Sequence, residues 1–317
     1  MTRKLHPLSL LLGVAAWLTS LLASSAARAD TFYVSNSGSN SIEKFTSGGV
    51  GSFFGTTGLN FPAGLAFDSA GNLYVANADG NTIEKFTPEG IGSVFASTGL
   101  NRPDGLAFDS AGNLYVTNLG DSTIGKFTPG GVGSVFASSG LNAPTALAFD
   151  SVGNLYAANA LGSTIEKFTP GGVGSVFANT GLLNPYGLAF DSVGNLYAAN
   201  NGNSTIEKFT PGGIGSVFAN AGLSSPIGLA FDSAGNLYAA NPGNNTIEKF
   251  TSGGVGSVFA NSSLNDPMSI AIRGVPEPST WVMLGLALPV MFGAARRRKA
   301  SSRTHHECQL AASQDRP

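Results

Sequence analysis

The sequence predicts an all-β fold, a closed six-bladed β-propeller of four-stranded blades, on three observations. First, Tyr33, Tyr74, Tyr115, Tyr156, Tyr197 and Tyr238 stand 41 residues apart, as do Pro62, Pro103, Pro144, Pro185, Pro226 and Pro267. A fixed period repeated six times without insertion is the mark of a repeat architecture. Second, each copy holds four short runs rich in aromatic and β-branched residues, such as GLAFD, NLYVAN, TIEKF and GSVFA, separated by turn residues. Four strands of about five residues with four short turns use about 40 residues, so helical repeats are excluded. Third, the first copy lacks its first run and the last copy is a first run alone. An open stack would leave both fragments as unpaired edges. In a ring the last run, Ser269 to Ile272, completes the first blade, three strands from one chain end and one from the other.

Taken in order, residues 1–29 read as a secretory signal peptide. Arg3 and Lys4 precede an apolar run from Leu8 to Leu22, and Ala27-Arg28-Ala29 forms an A-x-A cleavage pattern before Asp30. The run is short for a retained membrane span. Residues 30–274 are the ring of 41-residue repeats. Within a copy, Leu73, Tyr74 and Val75 are expected to be buried on both faces. Asp68, Ser69, Gly71 and Asn72 form a hairpin turn, with glycine supplying positive φ and aspartate capping amides. Asp109, Asp150, Asp191 and Asp232 repeat that aspartate, and Arg273 stands at its sixth position, where the chain leaves the ring. Glu84 and Lys85 recur as Glu43/Lys44, Glu166/Lys167, Glu207/Lys208 and Glu248/Lys249, which predicts a solvated ring of ion pairs; the third copy has Gly125 in place of glutamate. Asn36, Asn77, Asn118, Asn159, Asn200 and Asn241 end the second strands. They are expected to cap turns, with a carbonyl-lined ion or sugar site as the alternative.

Residues 275–299 carry a different signal. Pro276-Glu277-Pro278 is followed by an apolar run from Trp281 to Ala295, which predicts a short membrane helix, and then by Arg296, Arg297, Arg298 and Lys299. At about 1.5 Å per residue the run barely crosses the hydrocarbon. This order of parts resembles the PEP-CTERM sorting signal of Gram-negative bacteria. The resemblance implies recognition by an exosortase-type processing enzyme, export through the inner membrane and display at the cell surface or release, with membrane contact at least until processing. Residues 300–317 form a disordered basic and polar tail by composition; it extends beyond the usual end of such signals, so a permanent C-terminal anchor is the alternative. The one cysteine, Cys308, lies there, so the ring has neither a disulfide framework nor a thiolate metal site.

The blade motif P-x-G-L-A-F-D-S-x-G-N-L-Y-V-A-N followed by T-I-E-K-F resembles the NHL repeat, and also the blades of gluconolactonase and streptogramin-lyase propellers. It covers the whole ring and implies fold strongly and function weakly, because propellers host binding and catalysis alike.

The repeated positions hold the blades, so selectivity is expected where copies differ, beside each periodic proline. Loops on a rigid scaffold usually carry recognition. The candidate ligand-binding rim is Phe61, Arg102, Asp104, Thr145, Asn184, Tyr186, Ile227, Asp266 and Met268. No catalytic residue and no metal ligand is assigned. His6, His305 and His306 all lie outside the ring, so the general base that the lyase-type propellers use, as the resemblance implies, has no counterpart. Nucleic acid is excluded as a partner: residues 30–274 hold 16 acidic and 8 basic side chains, a field that repels phosphate. What remains is an exported, non-catalytic scaffold or binding propeller. Its composition and sorting signal point to a carbohydrate or protein ligand in the extracellular polysaccharide matrix. The alternatives are a metal-dependent lactonase of gluconolactonase type, which needs one divalent cation in the central channel, and a lyase-like enzyme. For the metal site only Asp104 and Asp266 depart from the repeat and are expected to face the channel, too few for an oxygen-ligand shell.

Overall fold

Short alternating runs bounded by Asp-Ser-x-Gly-Asn turns fold as antiparallel hairpins, and in the computed structural model they do so throughout. The structure describes residues 29–275, which form one compact unit, Ala29–Val275. The rest of the signal peptide, the Pro276-Glu277-Pro278 motif, the Trp281–Ala295 membrane helix, Arg296–Arg298 and the 300–317 tail lie outside the described residues. Within them no helix is long and apolar enough to cross a membrane.

Six four-stranded antiparallel sheets follow one another. Blade 3 is typical, with strands Pro103–Phe108, Leu114–Asn118, Thr123–Phe127 and Gly133–Ala137. Blade 1 is built from both ends of the described chain. Its strand Pro267–Val275 pairs with Ala29–Asn36, with Phe32 opposite Ile272 and Val34 opposite Ile270. The closing strand is longer than the sequence predicts, because Arg273, Gly274 and Val275 continue the ladder opposite Thr31, Asp30 and Ala29. The Asp30 carboxylate accepts from the Ser233 N–H and hydroxyl in blade 6, at 2.9 and 2.8 Å. Arg273 reaches the other way, donating to the Gly71 carbonyl at 3.2 Å and covering the Phe67 ring.

The second strands are fully buried in every blade, as the apolar run predicts. In the third-to-fourth pairing of each blade one residue is extra, a bulge that turns the fourth-strand phenylalanine inward. Phe95 therefore meets Tyr74 edge-on at 4.9 Å, while Phe108 of the next blade meets it from the other side at 4.9 Å. Such pairs contribute about 0.5–1.5 kcal/mol each beyond area burial. At the seam Ile272 stands where the other first strands carry phenylalanine, and Phe32 packs against Tyr238 instead, at 4.6 Å.

The hairpin turns form as expected. Asp68 Oδ1 accepts from the Asn72 N–H and Oδ2 from the Asn72 amide, with Gly71 at φ +85°. Partial burial opposes the ionised form of Asp68, but these bonds outweigh it and hold the carboxyl below its usual range. The expected ring of Glu–Lys pairs does not form. Neighbouring residues on a strand face opposite sides, so the two part company. Lys85 lies over the Tyr74 ring, 5.2 Å from its centre, and 3.7 Å from Asp68. Glu84, Glu166, Glu207 and Glu248 are buried on the other side, and burial pushes their carboxyls up.

The second-strand asparagines cap turns. Asn77 Oδ1 accepts from the Asn60 N–H at 3.2 Å, and its amide donates to the Gly58 carbonyl and Thr82 hydroxyl at 2.8 and 2.9 Å. Asn159 repeats all three bonds in blade 4. Both amide protons of Asn77 and of Asn159 are donated within the fold, which ties these side chains to the turns. Replacing Asn159 with alanine removes the partners of the Asn142 N–H and the Gly140 carbonyl and is expected to cost about 1–2 kcal/mol in denaturant unfolding; a loss under about 0.5 kcal/mol contradicts this role.

Candidate functional site

The loop into each blade brings the chain from the outer strand back to the axis, and its last residue before proline adopts a left-handed conformation. Phe61, Arg102, Asn184 and Asp266 have φ of 52°, 48°, 52° and 55°. Phenylalanine and arginine rarely choose that region unaided, whereas asparagine and aspartate tolerate it. A side chain from the preceding blade holds each one: the Phe61 N–H donates to Asn40 Oδ1, Arg102 to Asn81, Asn184 to Ser163 and Asp266 to Asn245. The pattern was hidden in a 21-residue offset between two loops of different blades.

The proline then starts the first strand, and the next residue faces the axis. Ala63, Asp104, Thr145, Tyr186, Ile227 and Met268 form one layer lining a cavity of about 160 Å³ at the mouth of the central channel. Below them small residues are required. A Cβ on Gly64 or Gly187 would run into the carbonyl of Asp104 or Ile227 in the adjoining first strand. Of the nine predicted rim residues, the structure thus brings Asp104, Thr145, Tyr186, Ile227 and Met268 together. Phe61, Arg102, Asn184 and Asp266 do not line the channel. The Asp266 carboxylate is held by the Ser37 hydroxyl instead, which corrects the expectation that it faces the axis. Ala63 belongs to the layer although it offers no polar group.

Three of the six are polar, and they differ in availability. The Thr145 hydroxyl spends its one proton on the fold, with the Pro185 carbonyl of the next blade at 3.1 Å and the Ala158 carbonyl of its own blade at 3.4 Å. Asp104 is half-buried, its carboxylate surrounded by six blades yet open to the lumen. Removal from water pushes its carboxyl up to about 7, partly opposed by the Arg102 charge. Tyr186 is raised by the same burial and by the Asp104 charge, against Arg102. The layer is therefore one carboxylic acid balanced near neutrality, one phenol and an apolar remainder.

This set does not fit a divalent cation. Asp104 is the one carboxylate of the layer, and among the described residues no three His, Cys, Asp or Glu side chains stand close enough to hold a metal ion. The ring contains no histidine or cysteine, so a Ser–His or Cys–His pair cannot be formed there.

Residues 274–299 match the model of the PEP-CTERM protein-sorting motif. No curated protein matches the chain in sequence. Among solved structures the chain is similar to one in a nidogen/laminin complex, at 22% identity and TM-score 0.70, covering 77% of this chain and 98% of that one. It is also similar to a catalytically inactive virginiamycin B lyase from Staphylococcus aureus, at 16% identity and TM-score 0.60, covering 75% and 87%. A third similarity is to a gluconolactonase from Xanthomonas campestris, at 17% identity and TM-score 0.57, covering 76% and 88%. At these identities the likeness concerns the fold.

Because the folded ring binds the Asp104 proton more tightly than the unfolded chain, this group favours the fold at acid pH. Its contribution declines as pH rises from the unfolded value near 4 to about 7. Asp104→Asn is expected to raise stability at pH 8 by about 1–2 kcal/mol, after discounting for lumen water, and to flatten the pH dependence between 5 and 7. Thermal unfolding across that range checks it; an unchanged profile contradicts the shift.

Proposed function

We propose that this chain is an exported, surface-sorted binding propeller without catalytic activity, whose channel mouth recognises a neutral carbohydrate of the extracellular matrix. One observation carries the reading: among all side chains that vary between copies, the channel layer is where they converge, and there Asp104 and Tyr186 present polar groups that the fold does not consume. A hydroxyl-bearing ligand matches them, since a carboxylate accepts from sugar hydroxyls and a phenol supplies both a ring face and an O–H. The 160 Å³ lumen admits the edge of a sugar unit, with the remainder resting on the rim. An exosortase-type enzyme is the processing partner of the sorting signal.

Asp104 also favours a second reading, hydrolysis of a lactone or cyclic ester, because an acid that titrates near neutrality suits proton transfer. The gluconolactonase and lyase similarities agree with it at the level of fold.

A glycan array probed with the mature protein is expected to show binding to neutral polysaccharides that falls about tenfold in Tyr186→Ala, with no turnover of glucono-δ-lactone. Lactone turnover that rises with pH through about 7 and vanishes in Asp104→Asn would establish the second reading instead. Mass spectrometry of the exported protein is expected to give a chain lacking the Arg296–Lys299 cluster; an intact C-terminus points to a permanent anchor.

A further inference from the structure

In blade 2 the space beneath the incoming loop is filled by the Glu84 carboxyl group, 2.9 Å from where a Cβ on Gly58 would stand. Blades 4, 5 and 6 repeat this with Glu166, Glu207 and Glu248 beneath Gly140, Gly181 and Gly222, at 3.3–3.4 Å. Blade 3 breaks the pattern. Gly125 takes the glutamate's place, and a Cβ on Gly99, the matching loop residue, would meet nothing within 4 Å. Where the glutamate is missing the surface has an open groove of about 410 Å³, lined in part by Thr98, Leu100, Asp121, Thr123 and Phe127.

Gly125 is not there for its backbone. It has no positive φ, and the other five blades place glutamate at that point of the strand. A second exception adjoins the first. Asp121 occupies a turn position held elsewhere by Ser39, Gly80, Gly162, Asn203 and Asn244. Blade 3 has therefore lost a carboxylate from beneath its loop and gained one at the groove wall. One oxygen of Asp121 accepts from the Thr123 hydroxyl at 2.8 Å, and among the described residues the other has no donor. No cation lines the groove.

We infer that the blade 3 groove is a second ligand site, for a single neutral sugar unit. Its volume falls in the range of small-molecule sites, roughly 300–1,000 Å³. The free Asp121 oxygen and the Thr98 hydroxyl take up ligand hydroxyls, and Leu100 and Val135 give an apolar wall for a C–H face. An uncompensated carboxylate excludes anions. The inference shares with the preceding section the premise that the ring binds sugar, but it names a different place on the ring.

The test is titration calorimetry of the mature protein with glucose, galactose and mannose up to about 100 mM, the weak-binding regime of single sugars. Gly125→Glu gives blade 3 the side chain of its neighbours, so it is expected to fold with an undiminished melting temperature and to lose binding at least tenfold. Asp121→Asn is expected to weaken binding about fivefold, and Val176→Ser, exposed on blade 4 and outside both sites, to leave it unchanged. Binding that survives Gly125→Glu but is lost in Tyr186→Ala overturns the blade 3 site and leaves the channel mouth as the place of recognition. The absence of heat with all three sugars overturns it as well, while polysaccharide binding on the array would keep the mouth reading alive.

Discussion

Everything in this molecule depends on the antiparallel pairing of Ala29–Asn36 with Pro267–Val275. Each blade buries its second strand only because a neighbour covers it on either side, so an open row of six would expose two apolar faces and two incomplete sheets. The pairing removes both at once. It is supported sideways, by Asp30 on blade 6 and Arg273 on blade 2, two charged residues that stand at the one place where no hairpin turn is available to do that work. Without a disulfide, hydrogen bonds and aromatic packing across this seam are what keep the ring one cooperative object.

A closed ring of near-identical blades is also frugal with free chemistry. Asparagines at the ends of the second strands, Asn and Ser in the turns, and hairpin aspartates each satisfy backbone groups, often in the adjoining blade. A residue that recurs six times is thereby tied to structure. Function is left to exceptions: the channel layer, where each blade contributes a different side chain, and blade 3, where a repeated glutamate is missing. The two places differ in kind. The first is central and narrow, with an acid shifted by its enclosure; the second is lateral, wider, and lined by a carboxylate without a counter-charge.

The period, the blade and the seam were legible in the sequence because they rest on spacing, and a one-dimensional pattern survives folding unchanged. The hairpin role of Asp68 and Asn72 was legible for the same reason, being local. What could not be read was direction. Glu84 and Lys85 look like an ion pair until strand alternation sends one inward under a loop and the other over Tyr74. Phe61 and Ala63 flank one proline, yet the first is held in a left-handed turn by Asn40 and the second faces the axis. Asp266 was expected to face the channel as Asp104 does, but its carboxylate is held by the Ser37 hydroxyl. Gly125 was visible as a departure from the repeat. That it opens a groove followed only when the buried glutamates of the other blades showed what it had removed.

Native-state hydrogen exchange tests the seam most directly. If the ring closes as described, the amides of Phe32–Val34 and Ile270–Ile272 exchange with the slowest class, together with those of a central blade such as Tyr156–Ala158, through one global opening. Exchange at the seam about a hundredfold faster than in blade 4, equivalent to about 2.7 kcal/mol of independent opening, would mean that the chain ends are not what hold the circle together.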